Sequence, residues 1–251
     1  MPETVSYALT KVEVDKFHEE GYLGPFELCT PEEMDPIRSR IDREVISTEG
    51  LSPHSRNQCR HLDNRVVYEL CAHPAIVERM ASIYGPDLVL WRSNLFVKNP
   101  GAPEIPWHQD GNYWPIEPVV NISAWLAIDP STIANSCVQL IPGTHRKIVP
   151  HIKSPEGMAF NEMADPAHFD TSKAINMELK PGQFFLFNER TLHHSEPNRS
   201  KERRLGLAVR VTIPIVKVYH DSPKLFPEHR VLLLSGEDRM SLNRTGNPPK
   251  N

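Results

Sequence analysis

At Asp87 the chain changes its period, and that change limits the possible folds more than any other feature of its 251 residues. The pattern before it is helical. Thr10 offers an N-cap for a helix running to about Glu20 and ended by Gly21. Thr30-Pro31-Glu32-Glu33 combines a cap, a proline at the first helical position and an acidic first turn. Met34, Ile37, Ile41 and Val45 then share one face up to about Ser47. Residues 48–64 read as a polar loop, and Asn64 to Tyr84 as two helical pieces restarted at His73-Pro74. After Asp87, Leu88–Val97 is strand-like. Val119–Ile128, Cys137–Ile141, Ile175–Leu179, Gln183–Phe187 and Leu205–Val216 follow, divided by turn residues. Short strands at that spacing predict a barrel or jelly roll, and helices gathered ahead of strands predict an α+β fold. The expected layout is one domain over residues 1–251. Helical support reaches to about residue 86, a β core runs from about 87 to 217, and a C-terminal extension covers about 218–251.

Two segments of the β region carry chemistry. His108-Gln109-Asp110 places a histidine and a carboxylate two residues apart, so on or beside a strand both point to one face. His193 follows in Thr191-Leu-His-His-Ser-Glu-Pro-Asn198. Two imidazoles and one carboxylate form the facial triad of non-haem Fe(II) oxygenases, which leaves positions on the ion open for a co-substrate and O2. Lys180-Pro-Gly182 is a turn, and the strand after it leads to His193 and Ser195 on one parity. Beyond the polar turn, Arg204, Gly206, Ala208 and Arg210 share a face, with Leu205, Leu207, Val209 and Val211 on the other. Small residues flanked by arginines suit a cavity in which a guanidinium grips a carboxylate with two bonds.

These residues resemble the phytanoyl-CoA dioxygenase family of Fe(II)/2-oxoglutarate-dependent oxygenases. The likeness rests on His108-Gln-Asp110, Asn135-Ser-Cys-Val-Gln-Leu-Ile-Pro-Gly-Thr-His-Arg146, the Pro181-Gly182 strand and Thr191–Asn198 with Arg204 behind it. Phe17-His-Glu-Glu-Gly-Tyr22 is similar to the family's opening motif, so the likeness spans roughly residues 10 to 215. It implies a double-stranded β-helix (a cupin-like jelly roll) with helical N-terminal support. It implies Fe(II) held by His108, Asp110 and His193, with 2-oxoglutarate and O2 as co-substrates. Family members carry an arginine eleven residues after the distal histidine, which makes Arg204 the anchor of the 2-oxoglutarate carboxylate and leaves Arg203 solvated. Where the family often has glycine after that histidine, this chain has His194. Halogenating relatives replace the triad carboxylate by a small residue. Asp110 therefore implies hydroxylation or a related oxidation, with release of succinate and CO2.

Several residues carry two readings. Asn94 and Lys98 share parity on the strand before the His-x-Asp segment, and either touch 2-oxoglutarate or satisfy the sheet. Ser195 either helps Arg204 or stabilises its turn. Arg210 either meets substrate or pairs with a structural carboxylate. Tyr113 and Trp114 are pocket-wall candidates, and Arg56, Arg60 and His61 in the 56–61 loop offer charge for an anion. The competing reading of that loop is a solvated surface segment. The expected substrate is a small polar metabolite bearing a carboxylate, phosphonate or similar anion. A long-chain acyl-CoA would need a basic patch and a long apolar channel that the sequence does not display. A non-catalytic jelly-roll binding protein and a cupin-type metal lyase or isomerase are the rival classes.

Composition fits an ordinary globular protein, 39% hydrophobic and 24% charged, and 24 prolines imply many loops. A net charge of −4 argues against a nucleic-acid partner. No stretch approaches the roughly 20 apolar residues of a membrane span. Met1–Thr10 lacks the pattern of a secretory signal, so a cytoplasmic location is expected. Cys29, Cys59, Cys71 and Cys137 form no Cys-x-x-Cys pair, and four free thiols are expected. Oligomeric state leaves no trace in the sequence.

Overall fold

The computed structural model describes residues 6–250. The helical support is α1 (Lys11–Glu20), a first strand β1 (Tyr22–Glu27), then α2 (Pro31–Ile41), α3 (Arg65–Cys71) and α4 (Pro74–Tyr84). The long strand β2 (Leu88–Lys98) follows, with β3 (Ile105–His108), β4 (Ile116–Glu117), β5 (Ile122–Ala127) and β6 (Val138–Leu140). Next come β7 (His151–Lys153), β8 (Glu162–Ala164), β9 (Ile175–Met177) and β10 (Gln183–Asn188). The chain closes with β11 (His193–Ser195), β12 (Arg204–Thr212), β13 (Lys217–Val218) and β14 (Leu232–Ser235).

The helix ends follow the sequence closely. Thr10 and Glu13 form a reciprocal capping box, as do Thr30 and Glu33. Gly21 ends α1 at φ 76°, and a Cβ there would sit 2.3 Å from His145 Nδ1. Conformation and space therefore both require glycine at this position.

Two antiparallel sheets make the jelly roll. The larger runs β1-β10-β5-β12-β2-β14 and the smaller β3-β11-β6-β9. Alternation divides the larger sheet. Leu205, Leu207, Val209 and Val211 of β12, Ile122, Ala124 and Leu126 of β5, and Phe184 and Leu186 of β10 pack outward with Met34, Ile41, Val67, Ile76 and Met80 of the helices. The opposite parity, Trp125, Ala127, Phe185, Phe187 and Ala208, packs inward with Val138, Leu140 and Met177 of the smaller sheet. Both faces of the larger sheet are thus buried. A phenylalanine or leucine buried in this way typically contributes about 1.5–3 kcal/mol.

The fold departs from the expected layout at both ends. The support is not purely helical, because β1 pairs with β10, and the 218–251 segment is not a mere extension, because β14 pairs with β2. The 48–64 stretch is also more than a surface loop. Gln58 bridges to Asn94, and Cys59, Arg60 and His61 are buried. The four cysteines are free, and no helix among the described residues is long and apolar enough to cross a membrane.

Arg203 is not the solvated side chain expected of it. It bonds Asp129 through Nε at 2.8 Å and Asp42 through a terminal nitrogen at 2.6 Å, with second bonds of 3.1 and 3.2 Å to the same two carboxylates. It clamps the turn after α2 to the end of β5. Hydrogen bonds to charged groups contribute roughly 1.5–3 kcal/mol, less where water screens them, so Arg203→Ala should cost about 1–2 kcal/mol. Urea denaturation should show a lower midpoint at unchanged slope. An unchanged midpoint would refute the clamp.

Candidate metal centre and active site

Cross-strand pairing builds the centre. β11 lies against β3 with His193 opposite His108, and their ring centroids are 4.1 Å apart. The chain turns sharply after β3, which brings Asp110 back beneath both rings. One carboxylate oxygen lies 3.6 Å from His108 Nε2 and the other 4.0 Å from His193 Nε2. One ligand atom from each of the three residues lies within 4.8 Å of the others. Each imidazole is oriented by its own backbone. His108 Nδ1 donates to the Pro106 carbonyl at 2.8 Å and His193 Nδ1 to the Thr191 carbonyl at 3.0 Å. A carbonyl only accepts, so Nδ1 carries the proton and the Nε2 lone pair faces the cluster.

The electrostatics suit a divalent cation. Burial pushes the His193 imidazole down to about 3, which keeps it neutral and ready to ligate at ordinary pH. Burial also pushes the Asp110 carboxyl upward. The Arg210 guanidinium, 3.4 Å away, outweighs it and holds the group well below its usual range. Two neutral nitrogens and one carboxylate oxygen fit Fe(II).

Gln109, between the two motif residues, faces the other way. Its amide nitrogen donates to the carbonyls of Lys147 at 2.7 Å and Arg190 at 2.6 Å, and its oxygen accepts from the Val149 amide at 2.9 Å. These bonds pin the turn that carries Asp110. The sequence signal for this structural role is the parity of Gln109, opposite to that of His108 and Asp110.

The inner chamber comprises about 440 Å³ of space, part of it open to solvent, and is walled by Phe96, Ile105, Trp125, Val138, Phe187 and Ala208 around the three motif residues, Ser195, Arg204 and Arg210. Arg204 is 1% exposed, with its guanidinium 5.2 Å from the Trp125 ring centroid. A terminal nitrogen donates to the Ser136 carbonyl, and Nε is buried without a partner. No described carboxylate forms an ion pair with it, and burial pushes it down to about 10. Gly206 makes room for this arrangement, since a Cβ there would lie 2.2 Å from the Trp125 indole. Ser195 Oγ accepts from Lys98 Nζ at 2.7 Å, which leaves its own hydrogen free to donate into the chamber. Burial pushes the Lys98 ammonium down to about 7.

Other expectations are redistributed. Lys98 reaches the chamber only through Ser195, and does not line it. Asn94 lies away from Arg204, in an outer cleft where its side-chain oxygen accepts from Arg92 and Arg210, each at 3.1 Å. Tyr113, Trp114 and Arg210 do line that cleft, which spans about 1290 Å³ including its open mouth. Arg60 and His61 do not. Arg60 is 4% exposed, pairs with Asp63 at 2.9 Å and donates to the Val45, Thr48 and Arg56 carbonyls. His61 is fully buried with Nδ1 2.7 Å from Ser93 Oγ. Both are packing groups, so the proposed anion site in that loop is withdrawn. His194 turns away from the metal motif, stacks on Trp107 and is held between Gln139 and Glu104. Arg92 and Phe160, which line the cleft, were missed. Arg92 shares the parity of Asn94 and Lys98, but Phe160 sits in a loop whose position no local pattern reveals.

The model of the phytanoyl-CoA dioxygenase (PhyH) family matches residues 17–206. A probable phytanoyl-CoA dioxygenase of Caenorhabditis elegans is 29% identical over 160 residues, 58% of this chain and 50% of that protein. Dioxygenase lolE1 of Epichloe uncinata is 29% identical over 139 residues, 55% of this chain and 52% of that protein. The chain thus spans about half the length of these two curated relatives. Among solved structures, CytC3 with Fe(II) and alpha-ketoglutarate is similar with a TM-score of 0.76 and 29% identity, covering 96% of this chain and 94% of that one.

Replacing Gln109 by Ala would strand two carbonyls and one amide in the interior. Each unsatisfied buried group costs about 1–3 kcal/mol, less where water can enter, so Gln109→Ala should lose at least about 2 kcal/mol. Chemical denaturation should register this as a large fall in midpoint. A fall equivalent to under about 0.5 kcal/mol, the range of ordinary surface substitutions, would refute the pinning role.

Proposed function

The chain belongs to the phytanoyl-CoA dioxygenase family, and from that membership we propose that it is an Fe(II)- and 2-oxoglutarate-dependent dioxygenase acting on a small molecule. One observation carries the reading: the His108–Asp110–His193 cluster shares a chamber with Arg204, a buried guanidinium without a counter-charge. A buried charge of that kind is stable only when an anion completes it. A metal-binding or lyase-type jelly roll has no use for it.

The residues take distinct roles. His108, Asp110 and His193 hold the ion. Arg204 receives the distal carboxylate of 2-oxoglutarate, Ser195 donates its hydroxyl hydrogen beside it, and Lys98 holds Ser195 in that orientation. Phe96, Ile105, Val138 and Phe187 exclude water. When bound, Fe(II) with 2-oxoglutarate and O2 supplies an oxidation that delivers one oxygen atom to succinate as CO2 leaves, and the other to the substrate. Asp110 fills the coordination position that a halogenating centre would leave to chloride, so the outcome is a hydroxylation or a related oxidation. Strands from both ends of the chain share the larger sheet, which supports one catalytic domain. The four free thiols suit a reducing compartment, and we read the protein as cytoplasmic.

The test is anaerobic addition of Fe(II) and 2-oxoglutarate, read by the weak visible charge-transfer band of the chelate. The wild type and His194→Ala should form the band, and His193→Ala should not. Loss of a desolvated Arg–carboxylate pair costs on the order of 2–5 kcal/mol, so Arg204→Ala should raise the 2-oxoglutarate constant more than about tenfold. Arg203→Ala should leave it nearly unchanged. Loss of the band in His194→Ala alone would overturn the ligand assignment. No band in the wild type would overturn the reading itself.

A further inference from the structure

The outer cleft contains a second cationic centre that the reaction above does not use. Arg92 and Arg210 are directly opposed across the β2–β12 ladder, where like charges repel. They share one neutral acceptor, because Arg92 Nε and an Arg210 terminal nitrogen each donate to Asn94 Oδ1 at 3.1 Å. Arg210 also lies 3.4 Å from Asp110, but that carboxylate is the one assigned to the ion. Arg210 Nε is buried without a partner, and no described carboxylate forms an ion pair with Arg92. The charged residues lining the cleft are Arg92, Arg210 and Lys224 against Asp110 and Glu162, and Glu162 is exposed.

Position separates this centre from the co-substrate anchor. Arg204 lines the inner chamber and not the cleft, Arg92 lines the cleft and not the chamber, and Arg210 lines both, beside Asp110. Aromatic faces stand around it. The Arg210 guanidinium is 5.2 Å from the Trp114 ring centroid, while Tyr113 and Phe160 pack edge to face, with centroids 5.9 Å apart, and make one wall of the cleft. Paired guanidiniums match the geometry of an oxyanion, and their shared amide acceptor leaves most of their donors unspent.

We propose that Arg92 and Arg210 form the substrate's anion clamp, so that the molecule oxidised here is a small acid bearing a carboxylate, phosphonate or phosphate. Its body lies along the wall made by Tyr113 and Phe160, whose rings also contact His108, which places carbon near the ion once the acid group is seated on the arginines. The inference rests on the oxygenase reading of the metal centre, because only that reading commits Asp110 to a metal and Arg204 to 2-oxoglutarate.

Calorimetric titration of the protein loaded anaerobically with Fe(II) and 2-oxoglutarate tests it, using phenylacetate, phenylphosphonate and neutral phenylacetamide as matched probes. At least one anion should bind about tenfold or more tightly than the amide. Arg92→Gln should erase that preference and Arg92→Lys should retain much of it, while the chelate band persists in both variants. The chelate band persisting in Arg92→Gln shows that its loss of preference is not a folding defect. The proposal fails if no anion is preferred over the amide, or if Arg92→Gln leaves the preference intact. The visible band reports separately on the oxygenase reading. If it never forms, the same titration of the unloaded protein still decides between the anions and the amide, with Arg92→Gln separating this clamp from Arg204.

Discussion

Strand β12 lies between β2 and β5 with both of its faces buried, and its register is the constraint on which the rest of the molecule depends. Leu205, Leu207, Val209 and Val211 hold the sheet to the helices. The intervening Arg204, Ala208 and Arg210 floor the chamber, and Gly206 lies beneath the Trp125 indole. Side chains alternate with period 2, so a slip of one residue would drive two arginines into the helical core and four aliphatic groups into the site. Site and core thus share one register and cannot be misaligned independently.

The arginines show how the same side chain serves stability or binding. Arg60 and Arg203 are saturated, the first by one carboxylate and a set of backbone carbonyls, the second by two carboxylates. Arg204 and Arg210 keep Nε unpartnered in the interior, and Arg92 leans on a single neutral amide. Buried charge short of counter-charge is costly, so Arg204 with no carboxylate, and Arg92 and Arg210 with only Asp110 between them, point to ligands that supply the missing charge. The aromatic faces beside these groups, Trp125 under Arg204 and Trp114 under Arg210, soften the cost but supply no negative charge.

Much of this was legible along the chain. Thr10, Gly21 and Thr30 mark their helix ends because capping is a contest among near neighbours. The two faces of β12 were readable because alternation is local. The spacing of His108 and Asp110 was informative for the same reason. What failed were readings that needed a partner from elsewhere. β1 and β14 carry weak strand patterns and become strands only because β10 and β2 offer open edges. The 56–61 loop is polar by composition, yet Arg60 is interior because Asp63 and three carbonyls receive it there.

The sequence by itself determined the class of fold, the two-sided character of the β12 strand, the metal-ligating residue types and the family to which the chain belongs. The first three follow from periodicity or short spacing, which act within a few residues, and the family follows from the resemblance of motifs spread along the chain. Only the tertiary structure decided that Arg203 is a clamp, that Asn94 stands with Arg92 and not with Arg204, and that Phe160 reaches the cleft. Those outcomes depend on which strand lies opposite which, and on where a loop returns. Hydrogen-bond registry and burial set them between residues tens of positions apart, and no local pattern encodes that choice.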